Sequence, residues 1–508
     1  MKTSFLFAAG CLFLAAPLAF AAPPTAQKTA PVSPWSRALT GEKRASHLLN
    51  RLAFGPRPGD VEAIQQSGEK KWIEQQLAPQ TLDDSALETR LSSLKWLRAT
   101  PAELQLAYEA DTANFLRLMK RAEAGEIAAP VLTPRQQESL ARIEAAALPP
   151  RASVQALGEL STAKLARAIE SKRQLQEVLA DFWSNHFNVD VKKNAVRGLK
   201  IVDDRETIRP HVMGSFRAML GASAHSPAMM LYLDNARSTR EAMAPRAAMP
   251  GARRRGGINE NYARELMELH TLGVDGGYSQ ADVTEVARAF TGWSVEPQTG
   301  EWVFRPRAHD QGPKTVMGKT INAGGEADGE AVLDLLAAHP ATARFIARKL
   351  CQRFVADEPP AALTEKVARA FLQSKGDLPT TYRALFFAPE FLSEGAYRAK
   401  IKSPLEFTVS AVRALGGTLE FGDGVGATAR LVYVGSSSLR DGAAPRGAAQ
   451  KAMRRPLGTE IAAMGQPLFS CQAPTGYSEK SSSWVSSSAL VARLNFALSL
   501  TQGRIGDV

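Results

Sequence analysis

Apolar residues recur along this chain at three- and four-residue intervals, the spacing that lines one face of a helix. The pattern predicts helices over 42–78, 101–124, 134–147, 160–189, 204–220, 227–235, 259–272, 280–292, 329–337, 341–356, 361–374, 378–394, 404–415 and 487–500. Several starts are explicit. Ser226-Pro227 and Ser403-Pro404 place a cap before a proline at the first helical position. Ser403 with Glu406, and Ser279 with Asp282, have capping-box spacing. Gly273 and Gly416 fit left-handed stops. Strand pattern is scarce. Trp302-Val303-Phe304 and Thr315 to Ile321 are expected to pair as a small hairpin around the loop 305–314, and Leu431 to Val434 reads as a third short strand. The fold class is mainly α: a large multi-helix, bundle-like array with a small β-hairpin insertion.

Punctuation between helices sets the organisation. Residues 1–21 read as a cleavable export signal. Lys2 gives a basic start, Phe5 to Leu18 an apolar run, and Ala19-Phe20-Ala21 a small-residue cleavage site. Residues 22–41 read as a flexible leader, Pro- and Ala-rich at its start. Residues 42–500 form one helical domain, or two subdomains, 42–235 and 259–500, joined by the basic loop 240–258. That loop contains Arg253-Arg254-Arg255 with Pro, Gly and Ala. It is either solvated filler or a lid for an anionic group. Residues 435–450 are a second Ser-, Gly- and Ala-rich linker.

The segment 259–294, NENYARELMELHTLGVDGGYSQADVTEVARAFTGWS, is more polar and more heavily capped than packing requires. At about 100° per residue, Tyr262, Ala263, Leu266, Met267 and Leu269 share one side of a helix. His270 falls inside that apolar arc, close to Asn259. In 163–189, His186 falls in the stripe of Leu165, Ile169, Leu175, Leu179, Phe182, Trp183 and Phe187, with Asn185 and Asp181 off it. Two histidines on the core faces of two helices are placed to meet. Three readings follow. They are satisfied core histidines, bonded to backbone or to Tyr262. Or they line a pocket with Asn235 and Asn259 and do acid–base work. Or, with Asp234, they ligate a divalent metal, the pattern otherwise leaving the cofactor open. No H-E-x-x-H or Cys/His cluster supports the metal.

The loop His309 to Lys314 gathers an imidazole, the Asp310 carboxylate and an ammonium within six residues. It is a candidate site mouth, with Lys314 holding substrate, or a turn stabilised by Asp310 and Gly312. There is no G-x-S-x-G elbow, no phosphate-cradling P-loop and no dinucleotide fingerprint. Tyr477 and Trp484, on turn-rich sequence, either stack on a sugar or plug a core gap.

Composition narrows the setting. The chain has 508 residues and a formal net charge of +11. That charge suits contact with an anionic envelope polymer, or reflects a generically basic surface. No nucleic-acid partner is expected, and after signal cleavage no segment reaches the roughly 18 uncharged apolar residues of a membrane span. Beyond Cys11 the cysteines are Cys351 and Cys471. An oxidising compartment permits a disulfide between them, and two buried thiols are the alternative.

HLLNRLAFGPRPGD (47–60), DFWSNHFNV (181–189), SPAMMLYLDNARS (226–238), NENYARELMELHTLGVDGGYSQADV (259–283), HDQGPKTVMGKTI (309–321), IKSPLEFTVSAVRALG (401–416) and GQPLF…PTGY…W…ARLNFA (465–497) resemble the bacterial family called domain of unknown function 1800. The resemblance implies an exported, largely helical protein of no settled activity. It also implies genes neighbouring those of an exported phosphatase- and sulfatase-like family. It assigns no catalytic residues. Two functions are therefore expected to compete. One is a hydrolase or lyase on an envelope or extracellular polymer, working through His186, His270, His309, Asp310 and Asp234, with Asn185, Asn235, Asn259 and Lys314 binding substrate. The other is a non-enzymatic binding or maturation partner of the phosphatase/sulfatase-like protein. An enzyme predicts a pocket that receives these side chains; a partner predicts filled interiors and an exposed apolar patch.

Overall fold

A computed structural model describes residues 33–193, 195–241, 257–421 and 455–508. The expected helices are present, though that of 378–394 ends at Phe386, and local chemistry decides where they break. The stretch 42–78 divides into Gly41–Leu52, Asp60–Ser67 and Glu69–Leu77. Gly55, Gly59 and Gly68 between them take positive φ, which ends a helix at little steric cost. The stretch 160–189 starts earlier and divides into Ala152–Glu170 and Gln174–His186. At the break the Asp84 carboxylate accepts the Lys172 backbone N–H at 2.7 Å and the Ser171 hydroxyl. These bonds compete with the helical ladder. The stretch 204–220 belongs to a helix that starts at Val196, widens into a π turn at Asp203–Ile208 and stops around Pro210. Phe216–Ala224 is a separate helix.

The expected capping boxes form at Ser279 with Asp282 and at Ser403 with Glu406. Ser226 caps the helix Pro227–Tyr232 by accepting the Met229 N–H. Gly273 and Gly416 are left-handed.

The strand pairing differs from expectation. β1 (Trp293–Val295) pairs antiparallel with β2 (Trp302–Phe304), and β3 (Lys314–Val316) with β4 (Lys319–Ile321). Residues 302–304 and 315–321 do not pair with each other. Met317 and Gly318 both take positive φ, so 314–321 folds back on itself through a two-residue turn. The stretch Leu431 to Val434 lies outside the described residues, as does most of the basic loop 240–258.

Within residues 33–40, placed in the leader by composition, Leu39 and Trp35 pack against the body of the protein. Leu39 is buried and its N–H bonds Leu392 O at 2.8 Å. Trp35 lies so close to Gly395 that a Cβ there would sit 2.6 Å from the indole. One hydrophobic core draws on residues from Leu48 to Ile505, so sequence on both sides of 240–258 shares it. Within it, Trp183 Nε1–H donates to the Tyr382 hydroxyl at 2.7 Å, which donates to Val212 O at 3.0 Å. That chain of bonds satisfies two large aromatics far apart in sequence.

The disulfide does not form: Cys351 and Cys471 are both free thiols. Burial pushes the Cys351 thiol up to about 12, whereas Cys471 is half-buried and donates weakly to Ala473 O. In protein lacking residues 1–21, thiol titration should find Cys471 in the native state and Cys351 only after unfolding. A denatured, unreduced chain with no titratable thiol would contradict this.

Candidate functional site

His186 is the last residue of the helix Gln174–His186. His270 lies in a π turn, Leu266–Thr271, that continues the short helix Asn261–Glu265. The wider turn is fixed by Leu272 N–H bonding Met267 O at 2.8 Å and by the Thr271 hydroxyl bonding Leu266 O at 2.7 Å. The two rings do meet, with centroids 6.1 Å apart. Both are buried to about 1 % exposure. His186 Nε2–H donates to the backbone carbonyl of His270 at 3.1 Å, and its Nδ1 has no partner. Tyr262 packs edge-on against Phe290. Trp183, Phe187 and Phe345 surround the His186 ring at centroid distances of 5.2, 4.6 and 6.3 Å. Burial, helped by the charge of Lys349, drives His186 well below its ordinary pKa and His270 down to about 3. Both rings are therefore neutral at physiological pH.

The polar neighbours expected beside them are elsewhere. Asp234, in a left-handed conformation, pairs with Lys193 Nζ at 2.7 Å and is part-exposed. Asn235 donates to the carbonyls of Phe290 (3.0 Å) and Trp293 (3.2 Å). Asn259 accepts the Asn261 N–H at 2.9 Å. These contacts brace the backbone of the two motif segments. Asp234 thus does not join the histidines. Among the described residues no three His, Cys, Asp or Glu side chains are grouped to hold a metal.

In the third motif, His309 and Asp310 point apart. His309 is fully buried, with Nδ1 at 2.7 Å from Thr291 O and Nε2 at 3.0 Å from Asp328 Oδ2. Lys314, also fully buried, reaches the same Asp328 oxygen at 2.6 Å. Asp310 accepts from Arg288 at 2.9 Å and from the Gly312 N–H at 3.0 Å. Asp328, the group that joins His309 to Lys314, gave no signal in the sequence, because it lies fourteen positions beyond Lys314, on the helix Ala327–Ala337, whereas Lys314 is on β3.

The residues that do converge form a charged cleft whose Arg353, Glu479 and Lys400 the sequence reading missed, although it singles out Asn185, Asp181, Tyr477 and Trp484 separately. Arg353, on the helix Pro340–Phe354, reaches Asp181 Oδ2 at 3.4 Å, Glu406 Oε1 at 3.3 Å and Glu479 Oε2 at 3.4 Å. Arg51 donates to the carbonyls of Arg353 and Phe354. Lys400 pairs with Asp357 and donates to Glu479 O. Asn185 clasps the backbone of Tyr477, donating to its carbonyl at 2.8 Å and accepting its N–H at 2.7 Å. Gly476 is obligatory there: its φ is +71°, and a Cβ would lie 2.3 Å from Asn185 O. Burial alone would raise the Glu406 carboxyl, but Arg353 and Arg51 hold it down at about 2. Burial depresses Arg51 to about 10, while the three carboxylates raise Arg353. The cavity left between these groups, closed off by Tyr477 and Trp484, measures about 20 Å³, room for a single water. Arg353 was legible in principle. It follows Ile346 and Leu350 on the buried face of its helix, where an unpaired charge would be costly.

A family model described as Protein of unknown function (DUF1800) matches residues 47–507, nearly the whole chain. No curated protein and no solved structure matches it.

The neutral histidines make stability depend on pH. Their folded pKa values lie below the unfolded value of about 6.5, so unfolding takes up protons below that pH. Stability is complete above it and falls as pH drops toward 3. For His270 the loss is about 2 kcal/mol by pH 5. Urea unfolding at pH 7 and pH 5 should show the loss, reduced in His270→Phe. A His186 or His270 ring resonance titrating between pH 5.5 and 7.5 would restore the pair as acid–base groups.

Proposed function

We propose, for a chain that belongs to the DUF1800 family of proteins of unknown function, a non-enzymatic binding role: it docks an acidic partner protein through its last helix. The observation that carries this reading is the outer face of Ser487–Thr501. Leu490, Val491, Leu494 and Leu498 are 51, 56, 66 and 58 % exposed. Their spacing makes one continuous apolar stripe. The inner face explains the orientation. Phe496 is buried against Phe407, ring centroids 5.8 Å apart, and Arg493, the helix's single charge, turns inward to bond Lys402 O at 2.8 Å.

Such a stripe fits an apolar groove that accepts a helix. Covering the four side chains supplies about 1–2 kcal/mol each, enough for a transient complex. The partner's chemistry follows from charge. The chain carries +11, and Lys480 and Arg504 flank the stripe in sequence on either side. An acidic rim around the groove would complement them. The exported phosphatase/sulfatase-like proteins expected beside this family are the partners of choice, in the extracytoplasmic setting that residues 1–21 suggest. The filled surroundings of His186 and His270 also support a binding role. Action as a hydrolase or lyase on an envelope polymer would require the Arg353 cleft to open well beyond one water.

Titration calorimetry of this chain with the phosphatase/sulfatase-like protein of the same organism tests the reading. The expected result is saturable binding that weakens with salt. It should weaken at least tenfold in Leu494→Asp and Leu498→Asp, with the circular dichroism and Tm of the variants unchanged. Equal binding by the variants, or no binding, would overturn it. So would sedimentation showing that the stripe pairs two copies of this chain, or flotation showing that it binds lipid vesicles.

A further inference from the structure

A roomy cavity lies away from both the histidines and the last helix. It has a volume of about 630 Å³ and opens between the Asn235–Arg237 turn, β1, β2 and the 305–308 segment. Its walls are mostly apolar, from Ala236, Gly292, Phe304, Pro306 and Ala308. The shape is held by backbone. Arg305 N–H bonds Gly292 O at 2.8 Å, and Gly292, at φ +80°, would bring a Cβ to 2.7 Å of Arg305 O. Any larger residue there would push the two walls apart.

The polar groups in this cavity are few, and most are donors. The Ser238 hydroxyl accepts the Asn259 N–H at 3.1 Å, and the Thr239 hydroxyl accepts the Gly257 N–H at 3.0 Å. Among the described residues, neither hydroxyl donates its own proton to a partner. Arg307 is exposed and makes no hydrogen bond or ion pair among the described residues. Among the described residues the Arg305 guanidinium has only long contacts, 3.4 Å to Glu296 Oε2 and 3.4 Å to Val295 O, and the side chain is 45 % exposed. The lining contains no carboxylate. An apolar chamber with two hydroxyl donors and two weakly engaged guanidinium groups matches one ligand chemistry. That ligand has an apolar body and a single anionic end.

We infer that this cavity is a binding site for a small amphipathic carboxylate or comparable organic anion, its apolar part lying on Phe304, Pro306 and Ala308 and its charge on Arg305 and Arg307. The volume is within the range of roughly 300–1,000 Å³ typical of small-molecule sites, so a ten-carbon acid fits. The site is independent of the protein-docking role proposed above.

Decanoate and decanol, titrated calorimetrically below their aggregation limits into the full chain, are the probes. Decanoate should bind one to one and at least tenfold more tightly than decanol. The Arg305→Gln/Arg307→Gln pair should abolish that preference without weakening decanol binding, which separates charge recognition from misfolding. Ala236→Phe, which fills the chamber, should weaken both ligands. Leu494→Asp should change neither, which keeps this site distinct from the exposed stripe on the last helix. Equal affinity for the acid and the alcohol in the parent chain would overturn the inference. So would decanoate binding only after residues 242–256 are replaced by a Gly-Ser linker, because the chain itself would then be the occupant.

Discussion

The Arg353 guanidinium is the contact on which the rest of the architecture depends. It is almost fully buried, and a charge without partners at that depth would be strongly unfavourable. Three carboxylates meet it, and they come from distant parts of the chain: Asp181 in a central helix, Glu406 in a capping box and Glu479 in the C-terminal loop. Arg51, near the N-terminus, grips the carbonyls at the end of the Arg353 helix. Four sequence segments, separated by up to several hundred residues, must therefore be in place together before this charge is satisfied. Glu406 does two jobs, closing its own helix cap through Ser403 and supplying a negative charge to Arg353. Its carboxyl stays ionised at all but very acid pH for that reason.

The same logic runs through the other polar motifs. Each gathers groups that look chemical in sequence and spends them on the protein's own backbone or on each other. Asn185 holds Tyr477, Asn235 holds the Phe290–Trp293 turn, and Asp328 neutralises Lys314 while facing His309. The central histidines are held neutral by burial. Among the described residues, the apolar stripe of the last helix and the arginines beside the large cavity are surface groups without strong internal partners. Those places are where recognition of something else is open.

Helix positions and caps were legible because they depend on residues a few positions apart. Ser279 with Asp282 and Ser403 with Glu406 formed as the spacing required. The meeting of His186 and His270 was also legible, since both fall on apolar faces. What escaped was non-local. The pairing of β2 with β1 rather than with 315–321 was decided by a two-residue left-handed turn at Met317-Gly318, which closes 314–321 on itself. Asp328 is invisible as a partner of Lys314 because local periodicity says nothing about which helix packs beside which strand. Arg353 could be flagged as a charge on a buried face, but not its three carboxylates. The leader residues 33–40 were misjudged because composition does not reveal that Leu39 has a pocket waiting near Leu392.

The most direct test of this account is the equilibrium urea unfolding of Arg353→Met at neutral pH. Removing the shared cation leaves Asp181, Glu406 and Glu479 crowded together without it. The account predicts a loss of about 3–5 kcal/mol, the cost of breaking a buried ionic cluster from one side. A variant as stable as the parent would mean that the cluster does not hold these segments together, and the cleft would then have to be explained as a site kept for a ligand.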